Sequence, residues 1–280
     1  HGCNSIIATK LALKLGDYVV TEAGFGADLG AEKFLDIKCR KAKISPDVVV
    51  CVATIKALKY HGGMEIEKIK DENIDYLEKG ISNLLKHIDN LKNIYGLNVV
   101  VAINKYTSDT NNEIEFLKNK LDEKGIELSL VESWEKGGNG AIDLAQKVIN
   151  LAEQKYNFNY AYDLEQSIVS KIKQIATKVY GAEDIEISES AIKKIENIEK
   201  LGYGHVPICI AKTQYSLSDD PKNLECREPF NIHVQDVILK AGAEFIVVIT
   251  GKIFTMPGLP RVPAAEKIDI DENGNIVGIF

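Results

Sequence analysis

Short apolar runs alternate along the chain with longer segments in which apolar residues recur every three or four positions. In the first part, predicted strands lie at residues 17–21, 47–54, 97–103 and 126–131, and predicted helices at residues 74–91, 113–123 and 140–155. The nearly continuous apolar run at 47–54 is typical of a strand covered on both faces. This alternation predicts an α/β fold with mostly parallel sheets and flanking helices, of the P-loop NTPase-like or Rossmann-like kind.

The pattern changes after residue 160. Helices are predicted at residues 164–180 and 190–201, strands at 206–211, 231–239 and 245–250, and a small C-terminal β-hairpin at 268–277 around Asn273-Gly274. Three prolines between 257 and 263 exclude a helix there. We place domain boundaries near residues 90 and 250, which gives two α/β regions, 1–90 and 91–250, and a terminal loop and hairpin at 251–280.

Composition and charge narrow the class of protein. The net charge is -7 over 280 residues, whereas a nucleic-acid-binding face is basic. No apolar stretch approaches the roughly 18 residues that a membrane helix needs. The five cysteines form no Cys-x-x-Cys pair, which favours free thiols, a reduced cytoplasmic protein and no metal site. We therefore expect neither a nucleic-acid nor a membrane partner.

Chemistry in parallel α/β sheets gathers at the carboxyl ends of strands. After the first predicted strand, residues 21–30 contain Gly24, Gly26 and Gly30. Glycines there let the backbone approach an anion at a helix start, or they serve only a tight turn with positive φ. The segment matches neither G-x-G-x-x-G nor a Walker A loop, and no Walker A loop occurs in the 280 residues.

Positive charge follows the second predicted strand. Lys56, Lys59 and His61 precede a Gly-Gly pair, which suits a phosphate or a carboxylate, although a solvated surface loop fits the same residues equally well. Tyr106 and Trp134 follow the next two strands, and Trp134 is the only tryptophan. Two aromatic side chains at adjacent strand ends could hold a flat heterocycle between them.

Four long motifs, taken together, resemble the formate–tetrahydrofolate ligase family. They are Thr21–Phe34, Val52–Gly63 (VATIKALKYHGG), Ala211–Pro221 and Met256–Pro260. The resemblance runs in order from His1 to Phe280. Two positions differ from the usual pattern, because Lys56 stands where Arg is common and Tyr106-Thr107 stands where Phe-Pro is common.

The resemblance implies an enzyme of one-carbon metabolism, an ATP-dependent ligase. Formate would be activated by ATP, with Mg²⁺, to formyl phosphate, and tetrahydrofolate would attack it to give 10-formyltetrahydrofolate. It implies that Gly24, Phe25, Gly26 and Asp28 lie near the nucleotide and formyl phosphate, and that Pro257, Gly258, Leu259 and Pro260 lie near the adenine. It implies that Tyr106 and Trp134 stack on the pterin, that the full-length form is a homo-oligomer, and that a monovalent cation is a further candidate ligand.

The resemblance also implies that residues 1–90 belong to a nucleotide-binding domain whose P-loop is absent from this sequence. His1 in place of an initiator Met agrees with a C-terminal portion of a longer protein. The expected catalytic Lys then lies outside the 280 residues, and we expect no turnover from these residues alone. An inactive folate- or nucleotide-binding fragment and an unrelated α/β module stay open as alternatives.

Overall fold

The first sheet is parallel and contains β1 (Val48–Ala53), β2 (Asn98–Asn104) and β3 (Leu128–Val131) in the order β1-β2-β3. The computed structural model describes residue 3, residues 5–224, 228–251 and 261–272, residue 274 and residues 276–278. Val48 lies opposite Asn98, and Val101 lies opposite Leu128. This register brings the carboxyl ends of all three strands to one edge of the sheet.

Helices cover the sheets and connect their strands. They are α1 (Ile6–Leu15), α2 (residues 26–42), α3 (Ile55–His61), α4 (Ile74–Asp89), α5 (Asn111–Asp122), α6 (Ser133–Lys136), α7 (Ile142–Ala152), α8 (Ile168–Gln174) and α9 (Glu189–Lys200). π-Helical turns widen α2 at Gly26–Ala31 and Phe34–Cys39 and extend α4 and α8 through Asn90–Ile94 and Ile175–Tyr180. Single 3-10 turns occur at Ile66–Lys68, Gly137–Ala141 and Ala264–Glu266.

Side-chain caps fix where several helices begin. The Thr54 hydroxyl accepts from the Ala57 amide at the start of α3, and the Asn73 side chain accepts from the Tyr76 amide at the start of α4. Thr110 and Glu113 form a capping box at α5. These caps satisfy amides that a helix leaves without partners at its first turn.

The second sheet contains β4 (Asp184–Ile187), β6 (Asn231–Lys240), β7 (Phe245–Thr250) and β5 (Ile208–Ala211) in that order. β4 and β6 are parallel, β5 and β7 are parallel, and β6 and β7 are antiparallel with an irregularity between Val234 and Asp236. With the parallel first sheet and the helical layers, this arrangement confirms the α/β prediction.

The C-terminal hairpin prediction is also confirmed. β8 (Asp269–Ile270) pairs in antiparallel fashion with β9 (Ile276–Val277). The division into domains stays a prediction. The first sheet takes β1 from before residue 90 and its other two strands from after it, so residue 90 does not separate one sheet from another.

Two predictions about strands are wrong. Residues 17–21 are not a strand, and within the described part of the chain no strand pairs with them. The Val20 side chain is 92% exposed, so the apolar pattern there is not buried against a described layer. β1 is not covered on both faces either, because Val52 is 66% exposed.

Polar side chains of α4 and of the π-helical turn after it donate to backbone carbonyls at residues 178, 179 and 224. The Asn83 amide donates to the Leu224 carbonyl at 2.8 Å, and Lys86 Nζ donates to the Lys178 carbonyl at 2.7 Å. The buried Asn90 amide donates to the Val179 carbonyl at 2.7 Å. Together with the buried apolar residues contributed by both sheets, these bonds fix the helical turn before residue 181 against α4.

Candidate functional site

The glycine loop, residues 23–30, leads into α2 and presents an aromatic ring to solvent. Gly24 and Gly26 have φ values of +84° and +76°, a region that residues with a Cβ atom rarely occupy. Phe25 lies between them with its side chain 75% exposed. A Cβ at Gly30 would lie 2.3 Å from the Ala23 carbonyl oxygen. The glycines therefore provide the tight turn that the sequence allowed, and the turn projects Phe25 outward.

A buried ion pair anchors the glycine loop from behind. Asp28 Oδ2 lies 2.7 Å from Lys212 Nζ, and both side chains are almost fully buried. Burial by itself would raise the pKa of Asp28, but the Lys212 charge outweighs it, so the pKa lies below its ordinary value. Asp28 is therefore a carboxylate at neutral pH and is already paired with a cation.

Three of the four sequence motifs meet at a cavity of about 20 Å³ beside this ion pair. The cavity is lined by Asp28, His61, Asn83, His87, Gln214, Tyr215, Ser216 and Leu217. Its volume holds about one water molecule, so a nucleotide would have to lie over its mouth rather than inside it. Burial lowers the pKa values of His61 and His87, which keeps both imidazoles neutral at pH 7. We call this region, with Phe25 and residues 211–221, the glycine-loop end.

Residues that follow β2 and β3 form a second region, the strand-mouth end, which contains Lys105, Tyr106, Glu132 and Trp134. The Trp134 indole N–H donates to the Lys105 carbonyl at 3.0 Å, and the Trp134 side chain is 62% exposed. Asp109 Oδ2 accepts from the Tyr106 amide at 2.9 Å. The structure thus fastens the two predicted stacking residues to one loop.

The loop that carries Trp134 is closed at its base by Gly140. The Glu132 amide donates to the Gly140 carbonyl at 3.0 Å, and a Cβ at Gly140 would lie 2.5 Å from the Glu132 carbonyl. Hydrogen bonds from Lys105 and, to a smaller extent, from Lys136 lower the pKa of Glu132 to about 2. The closure and these ion pairs hold the indole at the surface.

The three candidate residues of the cationic motif have different surroundings. Lys59 is buried and paired with Glu113 at 2.8 Å, and it also donates to the Asp71 carbonyl. Lys56 Nζ lies 4.0 Å from the centre of the Tyr106 ring, so it covers one face of that ring. His61 lines the cavity at the other end of α3. Lys59 is therefore neither a solvated surface residue nor a cation open to a ligand, and a role for Lys56 and His61 toward an anion stays a prediction.

α3 is the wall that the two ends share. Lys56, in its first turn, contacts Tyr106, and His61, its last residue, lines the cavity with Asp28. Five residues of helix span about 7.5 Å. The motif at residues 52–63 therefore bridges the glycine-loop end and the strand-mouth end.

The sequence reasoning named Asp28 but missed Glu32 and Asp36, which continue a buried row of acidic residues on α2. Asp28, Glu32 and Asp36 recur every four positions and are all buried. Glu32 lies 2.7 Å from Lys33, and Asp36 accepts from the Tyr95 hydroxyl and the Ala161 amide. The D-x-x-x-E-x-x-x-D spacing is the signal that could have identified them.

The remaining predictions concern the loop at residues 257–260, the cysteines, a metal site and membrane helices. Pro257, Gly258, Leu259 and Pro260 lie outside the described residues, as does Cys226. The other four cysteines are free, as predicted. Among the described residues, no group of three or more His, Cys, Asp or Glu side chains could hold a metal ion. In that part of the chain, no helix is both long enough and apolar enough to cross a membrane.

Comparison with known families agrees with the motifs. A family model for formate–tetrahydrofolate ligase matches residues 1–280. The match covers the whole printed sequence, including the glycine loop, α3, residues 211–221 and both predicted stacking residues. The chain belongs to the formate–tetrahydrofolate ligase family.

Proposed function

We propose that the two ends bind different substrates of one reaction, the ATP-dependent ligation of formate to tetrahydrofolate. The glycine-loop end binds the nucleotide and formyl phosphate next to Phe25, and the strand-mouth end stacks the pterin on Tyr106 and Trp134. The observation that carries the proposal is the convergence of Asp28, His61 and residues 214–217 on one cavity, with α3 leading from it to Tyr106.

The proposed chemistry has two steps. A formate oxygen attacks the γ-phosphorus of ATP, the bond to the bridging oxygen breaks, and ADP leaves. N10 of tetrahydrofolate then attacks the formyl carbon, the carbon–oxygen bond to phosphate breaks, and N10 loses its proton. Both steps concentrate negative charge on phosphoryl oxygens, which cations and oriented N–H groups stabilise.

The buried lysines of the site take a positioning role in this proposal. Lys212 is neutralised by Asp28, and Lys59 by Glu113, so neither adds net positive charge for the transferred phosphoryl group. Mg²⁺ would enter bound to ATP as part of the substrate. Within the part of the chain that the structure describes, no group of three or more His, Cys, Asp or Glu side chains could hold a metal ion.

Two further parts of the proposal concern the setting of the enzyme. Free thiols at Cys39, Cys51 and Cys209 suit a reducing compartment, which supports the cytoplasm as the place of the reaction. A homo-oligomer is proposed from the family resemblance alone.

The test of the proposed function is formate-dependent release of ADP in the presence of tetrahydrofolate. We expect turnover when a polypeptide that carries a Walker A loop is supplied with the chain, and binding without turnover from residues 1–280 alone. Turnover by the 280 residues alone would contradict the need for the Walker A lysine. Binding without turnover under every condition would favour the alternative, an inactive folate- and nucleotide-binding chain.

A further inference from the structure

Lys212 has the most completely bonded ammonium group at the glycine-loop end. Its Nζ lies 2.7 Å from Asp28 Oδ2, and it donates to the Thr213 carbonyl at 3.1 Å and to the Ser216 carbonyl at 2.5 Å. The Tyr180 ring lies 5.0 Å away on a further side. An ammonium has three protons to donate, and these three oxygens lie within hydrogen-bond distance of it.

The two carbonyls bracket a two-residue tip, Gln214-Tyr215. The chain leaves Lys212, turns around its ammonium and returns at Ser216, and the Thr213 hydroxyl accepts from the Tyr215 amide at 3.3 Å. Tyr215 is 50% exposed and lines the cavity together with Asp28. The tip therefore faces the glycine loop, and the ammonium is what holds both.

Residues beyond the tip are fixed independently of Lys212. The Ser216 hydroxyl donates to the Asn223 carbonyl, and the Ser218 hydroxyl accepts from the Asp220 amide. Asp219 accepts from the His233 amide at 2.6 Å. Loss of the ammonium should therefore release the tip and the glycine loop while the rest of the segment keeps its bonds.

We propose that Lys212 is the positioning residue of the glycine-loop end, and that the Tyr215 tip it holds is a further contact for the bound nucleotide. The nucleotide part rests on the proposed function. The half-exposed Tyr215 ring offers an apolar face with a polar edge, which suits a flat, partly polar base. Lys212 acts through Asp28 and the tip and does not itself touch the ligand.

A pH profile distinguishes this role from a merely structural one. Asp28 faces Lys212, His87 of α4 and Lys33 of α2. His61 of α3, Glu32 of α2 and Tyr180 also lie near it. With Lys212 removed, burial would push the Asp28 pKa upward. Nucleotide affinity in Lys212→Met should then gain a pH dependence that the wild type does not have, and Asp28→Asn/Lys212→Met should lose that added dependence and keep only what Glu32, His61 and His87 contribute.

The first test measures position without a ligand, by amide hydrogen exchange on the 280-residue chain. Lys212→Met should speed exchange at least about tenfold more in residues 26–31 and 213–216 than in residues 189–200, where only the loss of global stability acts. Lys222→Met, at an exposed side chain just beyond the segment, should match the wild type. Unchanged exchange in both Lys212→Met and the double variant would overturn the positioning role, whether or not the chain binds nucleotide.

The second test measures ATP affinity of the same chain by calorimetry. Tyr215→Ala should weaken binding about five- to tenfold, and Tyr215→Phe, which keeps the ring, should bind as the wild type does. Equal affinity of Tyr215→Ala and wild type would overturn the contact while leaving the proposed function intact. A wild-type chain that does not bind ATP, even with a Walker A polypeptide supplied, would overturn the proposed nucleotide site and the Tyr215 contact, and the exchange data would still decide the role of Lys212.

Discussion

The glycine-loop end and the strand-mouth end each set exposed aromatic residues in front of a lysine–carboxylate pair, but the two pairs differ in burial. Asp28–Lys212 is almost fully buried, whereas Lys105–Glu132 keeps 30% and 21% of its side-chain surface exposed. The N–O distances are 2.7 and 2.8 Å. The two ion pairs have nearly equal distances but differ in strength, because water screens Lys105–Glu132 and is excluded from Asp28–Lys212.

The difference suggests different tasks. A buried pair leaves an uncompensated charge when one partner is lost, so it acts as a firm anchor for the glycine loop and the Tyr215 tip. The strand-mouth pair orients Trp134 through the Lys105 carbonyl. The Lys105–Glu132 ion pair can separate without leaving a buried, unpaired charge. Lys56 lies over the Tyr106 ring at this end and would shift aside, or keep one ring face, when a heterocycle stacks there.

The largest expected effect comes from breaking the buried pair. Lys212→Met should lower the free energy of unfolding by about 3–5 kcal/mol, because Asp28 would remain buried and unpaired. Asp28→Asn/Lys212→Met should recover a large part of that loss. Urea unfolding of both variants, with Lys222→Met as the control, measures the effect. A Lys212→Met chain as stable as the wild type would show that Asp28 is not desolvated.

The next effect is a pH dependence that belongs to the glycine-loop end. Burial raises the pKa of Glu32 to about 7, whereas an unfolded chain releases this proton near pH 4. The folded chain holds the proton to higher pH, so its stability should fall as the pH rises through the interval between these values. The loss attributable to Glu32 is about 3 kcal/mol.

Comparison of wild type with Glu32→Gln isolates this effect, because both keep His61 and His87, whose lowered pKa values act in the opposite direction below about pH 6.5. Urea unfolding at a series of pH values should give a difference in stability that moves in favour of Glu32→Gln as the pH rises. A difference independent of pH would contradict the raised pKa.

At the strand-mouth end we expect a change in affinity rather than in stability. Tyr106→Ala should weaken tetrahydrofolate binding about tenfold through the lost ring face, with little change in the urea midpoint. Calorimetry measures the affinity, and Tyr106→Phe serves as the matched control. If both variants bind as the wild type does, Tyr106 is not a stacking residue.

The smallest effect should follow from opening the exposed pair. Glu132→Gln removes the negative charge between Lys105 and Lys136 and leaves one acceptor oxygen in place of two, yet water can replace the lost partner. We expect no resolvable shift in melting temperature by scanning calorimetry. A shift comparable to that of Lys212→Met would mean that burial does not separate the two ends.

Much of this comparison could be predicted from sequence, and the rest depended on packing. The periodicity located β2, α4 and α9 because their buried faces repeat regularly. It wrongly predicted a strand at residues 17–21, because a local apolar pattern does not show whether another strand is there to pair with it. Likewise, Lys59 was a candidate cation for an anion, since no local pattern reveals that Glu113 lies against it from a distant part of the chain.

The candidate site divides in the same way. Tyr106 and Trp134 were predicted from strand-end positions and Phe25 from the family resemblance, and the structure places all three at or near the surface. The cavity shared by His61 and Tyr215 joins residues more than 150 positions apart, and only the folded chain brings them together.

The most direct test of the central claim is a titration of the chain with tetrahydrofolate, read by the fluorescence of Trp134, its only tryptophan. Because the indole is exposed at the strand-mouth end, a stacked pterin should quench its emission saturably, and Tyr106→Ala should shift the curve to higher concentration. Emission that stays unchanged at saturating tetrahydrofolate would contradict the assignment of the strand-mouth end to the pterin.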